Sequence, residues 1–393
     1  MSIGAPQELE LNSISESSKE QNQKYVSYNI TCRDGKAKTL KIKINNKWIE
    51  TPLFIPGHSF RGKNGNPYFW EKTVIGPLEF EKIDVSAIMV NAYDLRNLIN
   101  DTPIHQLLGF EGVVYIDSGG YQYLSKKIIP NPEKIMNIQE KSNADIIVPL
   151  DRPIPRKPTE EQIRLSIQDT LKNNLLWQER FGERVLPVIH GTELKHLVNQ
   201  MEELSEPKIV GIGSLVPQFM YTSRKKTISL ISSFTSLYPD IYLHAFGVSY
   251  SLSSLLFLIG VDSVDSTSWI HNSRFGSMRL PYQGPRSVAL RTKSVSRHKS
   301  LTRNEWESFK CSCPICSYQD RDKVWEMLMS WKALGFRTRS IHNVFVNLEL
   351  ANEIKEKICS NSLKSYINEV ISKTSLSYLL KDDKLRQEIF QLV

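Results

Sequence analysis

The chain has 393 residues, 40% hydrophobic and 23% charged, a balance that excludes a wholly disordered, collagenous or coiled-coil protein. Fifty Lys and Arg against 42 Asp and Glu leave a net charge of +8, which permits an acidic partner without requiring one. Five cysteines are too few for a secreted disulfide framework, no apolar run reaches the roughly 18 residues that span a bilayer, and no basic-then-apolar leader opens the chain, so a cytoplasmic protein is expected.

In chain order, residues 1–24 carry four Glu and two Lys with few large apolar side chains, which predicts a disordered tail. Residues 25–393 read as one domain. Eight short apolar runs recur through it: Pro52–Pro56, Ala87–Asn91, Val113–Asp117, Ile146–Asp151, Leu186–His190, Ile209–Ser214, Tyr242–Phe246 and Val261–Asp265. Most are continuously apolar, as strands buried on both faces are. Between them Pro158–Phe181, Leu194–Leu204 and Thr222–Leu237 have helical spacing. Strand alternating with helix eight times predicts an α/β fold, a (β/α)8 TIM barrel; a doubly wound sheet is second, because no Gly-rich GxGxxG follows the first strand. The stretch Arg61–Glu79, rich in Gly, Asn and aromatics, reads as an insertion.

The strand ends carry the polar residues: Asp117-Ser118-Gly119-Gly120, Asp151, His190-Gly191, Gly213-Ser214, Phe246-Gly247 and Asp265. In a barrel these ends converge on one face, where active sites sit. One Asp after a strand is ordinarily a helix cap. Three at one mouth repel each other and imply a task. Asp262 reads as a structural cap.

Residues 286–310 hold seven Lys and Arg, including Arg286, Arg291, Lys293 and Arg297, against two Glu. Such a run is either a solvated face or a phosphate-binding stripe. Arg274, near Gly276, either binds phosphate or pairs with a carboxylate. Cys311, Cys313 and Cys316 form C-x-C-x-x-C, and His342 opens a helix-like segment to Cys359. Three thiolates and an imidazole make a closed tetrahedral structural zinc site, one Zn2+ per chain, within a zinc-binding subdomain of about residues 286–345 pinned to the last helix. A redox pair is the competing reading. Cys32 and Cys359 read as buried thiols.

These segments, with Asp34-Gly35-Lys36-Ala37, Thr51-Pro52-Leu53-Phe54-Ile55-Pro56, Val90-Asn91-Ala92-Tyr93, Tyr121-Gln122, Pro149-Leu150-Asp151, Gly213-Ser214-Leu215-Val216-Pro217 and Asp262-Ser263-Val264-Asp265-Ser266, resemble the tRNA-guanine transglycosylase superfamily over nearly the whole ordered length. The resemblance implies a (β/α)8 barrel with a structural zinc before its last helix. It implies Asp265 as the nucleophile at C1′ of a guanosine, through a covalent glycosyl-aspartate intermediate, and Asp117 as general acid/base. Asp151 would accept the N–H edge of the base. Ser118, Gly213, Ser214 and Leu215 would complete that edge, and Tyr121 and Phe246 would sandwich the ring.

His190 stands where the tRNA enzymes usually carry a Gln that reads the base, and so is expected to contact the base differently. Arg152-Pro153 after Asp151 and Ser214-Leu215-Val216-Pro217 look archaeal, yet no stretch after the last helix has the length of the archaeal RNA-binding domains. These departures point to the DNA-modifying, DpdA-type branch: guanine in DNA exchanged for a 7-deazaguanine such as preQ0, with an ATPase partner that opens DNA and a homodimer as further expectations. The alternatives are a tRNA enzyme, a non-catalytic nucleic-acid-binding subunit and, more remotely, a glycoside hydrolase.

Overall fold

The computed structural model describes residues 24–58, 73–75, 78–80, 83–97, 102–221, 223–248, 250–289, 298–369 and 377–380. The predicted tail falls almost wholly outside them, as do most of Arg61–Glu79 and all of Arg291, Lys293 and Arg297. Among the described residues no helix is long and apolar enough to cross a membrane.

The chain opens with a three-stranded antiparallel sheet, β1 (Val26–Asp34), β2 (Ala37–Ile44) and β3 (Lys47–Glu50). Its first hairpin turns at Gly35-Lys36, with Gly35 at φ 62°. The first barrel strand follows as β4 (Leu53–Pro56), then a short antiparallel pair, β5 (Thr73–Ile75) and β6 (Leu78–Phe80), at the end of the predicted insertion and one residue past it.

The remaining barrel strands are β7 (Ala87–Asn91), β8 (Val113–Asp117), β9 (Ile146–Ile147), β10 (Val188–Ile189), β11 (Ile209–Ile212), β12 (Tyr242–Ala245) and β13 (Ser263–Ser266). The ladders β7-β8-β9 and β10-β11-β12-β13-β4 are parallel throughout. Parallel bridges Gly57–Met89 and Ile147–Val185 join the two into one closed ring of eight. All eight apolar runs are therefore barrel strands, and the α/β barrel expectation holds. Two shrink most: Pro149 and Pro187 lack the N–H a ladder needs, so β9 and β10 keep two residues each.

Side-chain alternation sorts the strands into two cores. Inward-facing Leu53, Ile55, Met89, Val113, Tyr115, Ile146, Val188 and Tyr242 share one buried cluster with Leu40, Ile42, Ile44 and Ile49 of the N-terminal sheet, which thereby closes the barrel floor. Outward-facing Phe54, Ile88, Val90, Val114, Ile116, Ile212 and Val264 pack under the helices. The helix Glu160–Phe181 starts at a capping box between Thr159 and Gln162.

After β13 come the helix Ser268–Arg274 and the antiparallel pair β14 (Ser277–Leu280) and β15 (Gly284–Ser287). A 27-residue helix, Ala333–Cys359, packs on them. It corrects two expectations. His342 lies well inside this helix rather than opening it, because the poor helix former Gly335 masks the true start. Nor is it the last helix, since Leu363–Glu369 and Ser377–Leu380 follow. A third correction concerns Cys32 and Cys359, which form a disulfide with Cα atoms 5.1 Å apart rather than two thiols. It ties the N-terminal sheet to the end of the long helix, across 327 residues of sequence that no local pattern bridges.

Candidate active site

A cavity of about 690 Å3 opens at the C-terminal ends of the barrel strands. Its lining includes Asp117, Tyr121, Asp151, Gly213, Ser214, Leu215, Phe246, Asp265 and Arg274. A larger cleft of about 850 Å3 lies beside the Cys311 loop, lined by Tyr250, Tyr282, Glu349 and Glu353 among others, but it takes in no end of a barrel strand. The mouth is where the chemistry-bearing residues meet.

Asp117 ends β8. Its Oδ2 accepts hydrogen bonds from Asn91 Nδ2 at 2.8 Å and from the Gly119 N–H at 3.1 Å. Asn91 is itself held, because its Oδ1 caps the next helix by accepting from the Tyr93 N–H. Burial raises the Asp117 carboxyl to about 8, helped by the negative charges of Asp151 and Asp265 and opposed by the Gly119 and Ser118 N–H groups. Asp117 is therefore a protonated acid at neutral pH.

Asp151 follows β9 and stands against the helix Gly120–Ser125. A Cβ on Gly120 would come within 2.3 Å of Asp151 Oδ1, so only glycine admits the carboxylate there. Asp151 Oδ2 lies 3.2 Å from His190 Nε2, within ion-pair reach but without hydrogen-bond alignment. His190 Nδ1 in turn lies 2.9 Å from Ser214 Oγ, which accepts the Ile154 N–H at 2.8 Å. Gly213 makes room for this imidazole, since a Cβ there would meet His190 Cε1 at 2.3 Å.

Asp265 lies on β13. Its Oδ1 accepts the Gly247 N–H at 2.7 Å and sits 3.3 Å from His244 Nε2. Among the described residues, no Lys or Arg pairs with Asp117, Asp151 or Asp265.

Several predicted base contacts take other positions. His190 is fully buried behind Asp151 and is absent from the cavity lining, so it supports that carboxylate instead of facing a base. Ser118 is also buried and off the lining, and its Oγ finds no partner among the described residues. Tyr121 is 61% exposed, a rim residue on one side of the opening. Phe246 is half-buried, its ring set edge-on to His244 at 4.4 Å. Arg274 is exposed on the lining. Arg286 is off it, bonded to Gln283 and 3.8 Å from Glu305. Asp262 sits at the opposite end of β13, where its Oδ2 meets Lys38 Nζ at 2.9 Å and accepts the Leu243 N–H.

Two residues of this site were missed by sequence reasoning, Asn91 and His244. A helix-capping Asn at a strand end signals the first. The second shows only as the middle of an inward-facing i, i+2 set, Tyr242, His244 and Phe246.

Cys311, Cys313, Cys316 and His342 come together as expected, with their donor atoms all within 4.8 Å of one another. His342 Nε2 donates to the Arg279 carbonyl at 2.6 Å, which turns Nδ1 toward the three sulfurs. A fixed imidazole and three thiols fit a closed, four-coordinate zinc centre, with the Arg279 carbonyl as its outer support.

A sequence model described as queuine tRNA-ribosyltransferase matches residues 32–375. Among similar proteins are the tRNA-guanine(15) transglycosylases of Pyrococcus abyssi, 27% identical over 88% of this chain and 56% of the relative, and of Methanococcus aeolicus, 27% identical over 87% and 51%. That of Methanopyrus kandleri is 24% identical over 86% of this chain and 70% of its own length. The chain thus spans about half the length of most curated relatives it matches.

Proposed function

Because the chain belongs to the queuine tRNA-ribosyltransferase family, we propose that it is a guanine transglycosylase, a pentosyltransferase acting on nucleic acid, with Asp265 as nucleophile and Asp117 as general acid/base. An Asp265 carboxylate oxygen attacks C1′ of the target guanosine as the C1′–N9 bond breaks. Asp117 gives its proton to the departing guanine. The incoming base, a 7-deazaguanine, then attacks C1′ and releases Asp265, while Asp117 takes back the proton that base sheds. Two displacements retain the configuration. Asp151, seated by Gly120 and backed by His190, accepts the N–H edge of either base. The observation that carries this reading is the meeting of Asp117, Asp151 and Asp265 in one cavity at the barrel mouth, with Asp117 held by Asn91 and Gly119 and raised toward its protonated form by burial and by the two carboxylates beside it.

For the polymer, the relatives favour tRNA, since each bears the name of a tRNA enzyme. The DNA-modifying reading loses His190 as one of its supports, because His190 is buried behind Asp151. In either polymer the guanine must leave its stack to reach Asp265.

The deciding experiment offers tRNA and DNA side by side with labelled guanine. Label retained in tRNA, and lost with Asp265→Asn, supports the proposal. Label in DNA alone restores the DNA reading. Exchange that survives Asp265→Asn overturns the catalytic assignment and leaves a nucleic-acid-binding subunit.

We assign Zn2+ to Cys311, Cys313, Cys316 and His342 as a structural ion. The folded protein should release about one zinc per chain, and stripping the ion should lower the melting temperature instead of only slowing turnover. Stripping with no thermal shift would remove the structural role.

A further inference from the structure

We propose that His244 is a positioning residue that selects the attacking oxygen of Asp265, an inference that rests on reading Asp265 as the nucleophile. A carboxylate has two equivalent oxygens, and attack at C1′ needs one of them free and aimed. The two oxygens of Asp265 are not equivalent here. Oδ1 accepts the Gly247 N–H at 2.7 Å and lies 3.3 Å from His244 Nε2. Oδ2 accepts no hydrogen bond from the described residues, and Asp265 lines the cavity. Oδ1 is the anchored oxygen and Oδ2 the attacking one.

His244 is held from behind by a buried polar chain that crosses the barrel interior. Its Nδ1 is 2.7 Å from Ser263 Oγ, Ser263 Oγ is 2.6 Å from Tyr242 Oη, and Tyr242 Oη is 3.2 Å from Tyr115 Oη. Tyr115 stands on β8, Tyr242 and His244 on β12, Ser263 and Asp265 on β13. All but Asp265 are buried to within 2%.

The chain has one self-consistent polarity. Ionised Asp265 only accepts, so His244 Nε2 carries the hydrogen. If Nδ1 accepts from Ser263, Ser263 accepts from Tyr242 and Tyr242 from Tyr115, every O–H has an acceptor. Reversing the order leaves the Tyr115 hydroxyl, at the buried end, with no acceptor among the described residues. Four side chains thus deliver one oriented N–H to Oδ1. A satisfied core would need no such direction toward the one carboxylate that bonds to substrate.

The test is a set of variants read by steady-state exchange, nucleic-acid binding and melting temperature. His244→Leu removes the donor, and kcat should fall roughly 10- to 100-fold with KM and nucleic-acid Kd within about twofold. His244→Gln places an amide N–H near Nε2 and should recover most of that loss. Tyr242→Phe breaks the chain one link back and should lower kcat by a smaller factor, which keeps the proposal testable if His244→Leu does not fold. Wild-type kcat in a folded His244→Leu protein overturns the proposal. So does a Gln variant as slow as the Leu variant, or a loss confined to KM. Exchange surviving in Asp265→Asn would instead sink the reading of the nucleophile itself.

Discussion

An aspartate stands at each end of the barrel, Asp262 buried at the floor and Asp117 on the cavity lining at the mouth, and the two are treated in opposite ways. At the floor, Asp262 faces Lys38, both nearly free of solvent, and burial raises its carboxyl only to about 6 because Lys38 and the Leu243 N–H oppose the shift. At the mouth, Asp117 faces two more carboxylates and two hydrogen-bond donors, and it reaches about 8. The floor offsets its buried charge on the spot. The mouth leaves its own uncompensated and keeps a proton instead. A buried carboxylate paired with a lysine is a structural part, whereas carboxylates clustered at strand ends with no Lys or Arg partner among the described residues point to chemistry.

The sharpest way to break the contrast is to neutralise each end. Asp117→Asn puts a neutral amide where a neutral acid stood, so at neutral pH exchange should drop by a factor of roughly 100 to 10,000 while the melting temperature holds. Single-turnover rates beside calorimetry check this. A stable, fully active variant would end the catalytic reading of the mouth. Lys38→Met leaves Asp262 buried without its cation and should cost roughly 3–5 kcal/mol of stability, with exchange per folded molecule unchanged. Adding Asp262→Leu should return much of that loss, which denaturant titration would show.

The two ends also differ in how far they could be read in advance. Continuous apolar runs marked all eight barrel strands, and their polar ends marked Asp117, Asp151 and Asp265, because buried parallel strands leave that pattern. The floor was not read. Its three-stranded sheet carries a Gly35-Lys36 turn and alternating Leu40, Ile42 and Ile44, a hairpin signal in its own right. That these residues close a barrel depends on where the ring closes, which no short window holds. His190 and His244 show the same limit: each follows or lies in a barrel strand, yet one backs Asp151 and the other Asp265, and only neighbouring strands decide which. The Cys311 cluster was readable because three of its donors fall within six residues, while the Cys32–Cys359 link spans the whole fold.

A milder probe uses pH. Folded Asp117 holds its proton up to about 8, whereas a free carboxyl releases it near 3.8. Exchange that needs the acid should therefore hold below about pH 8 and decline above it, and Asp117→Glu should shift that limb. The stability sign runs the other way from that of a salt-bridged Asp. The unfolded chain sheds the proton first, so this group's contribution falls as pH rises from about 4 to about 8 and then levels. Thermal scans of wild type against Asp117→Asn across that range isolate the slope. A wild-type alkaline limb that stays put in the Glu variant would mean another group sets it.

The smallest expected effect separates two arginines near the mouth. Arg274 is exposed on the cavity lining, where a phosphate of the bound polymer can reach it. Arg286 lies off the lining, hydrogen-bonded to Gln283 and 3.8 Å from Glu305, out of reach of a polymer seated in the cavity. Arg274→Ala should therefore weaken nucleic-acid binding about equally across sequences and reduce the salt slope by about one. Arg286→Ala should leave the slope unchanged. Titrations at several salt concentrations distinguish them, and equal slopes for the two variants would return both to an ordinary solvated surface. A slope lost only with Arg274 would place the phosphate path over Asp265 and Asp117, beside the same uncompensated carboxylates that set this end of the barrel apart from its floor.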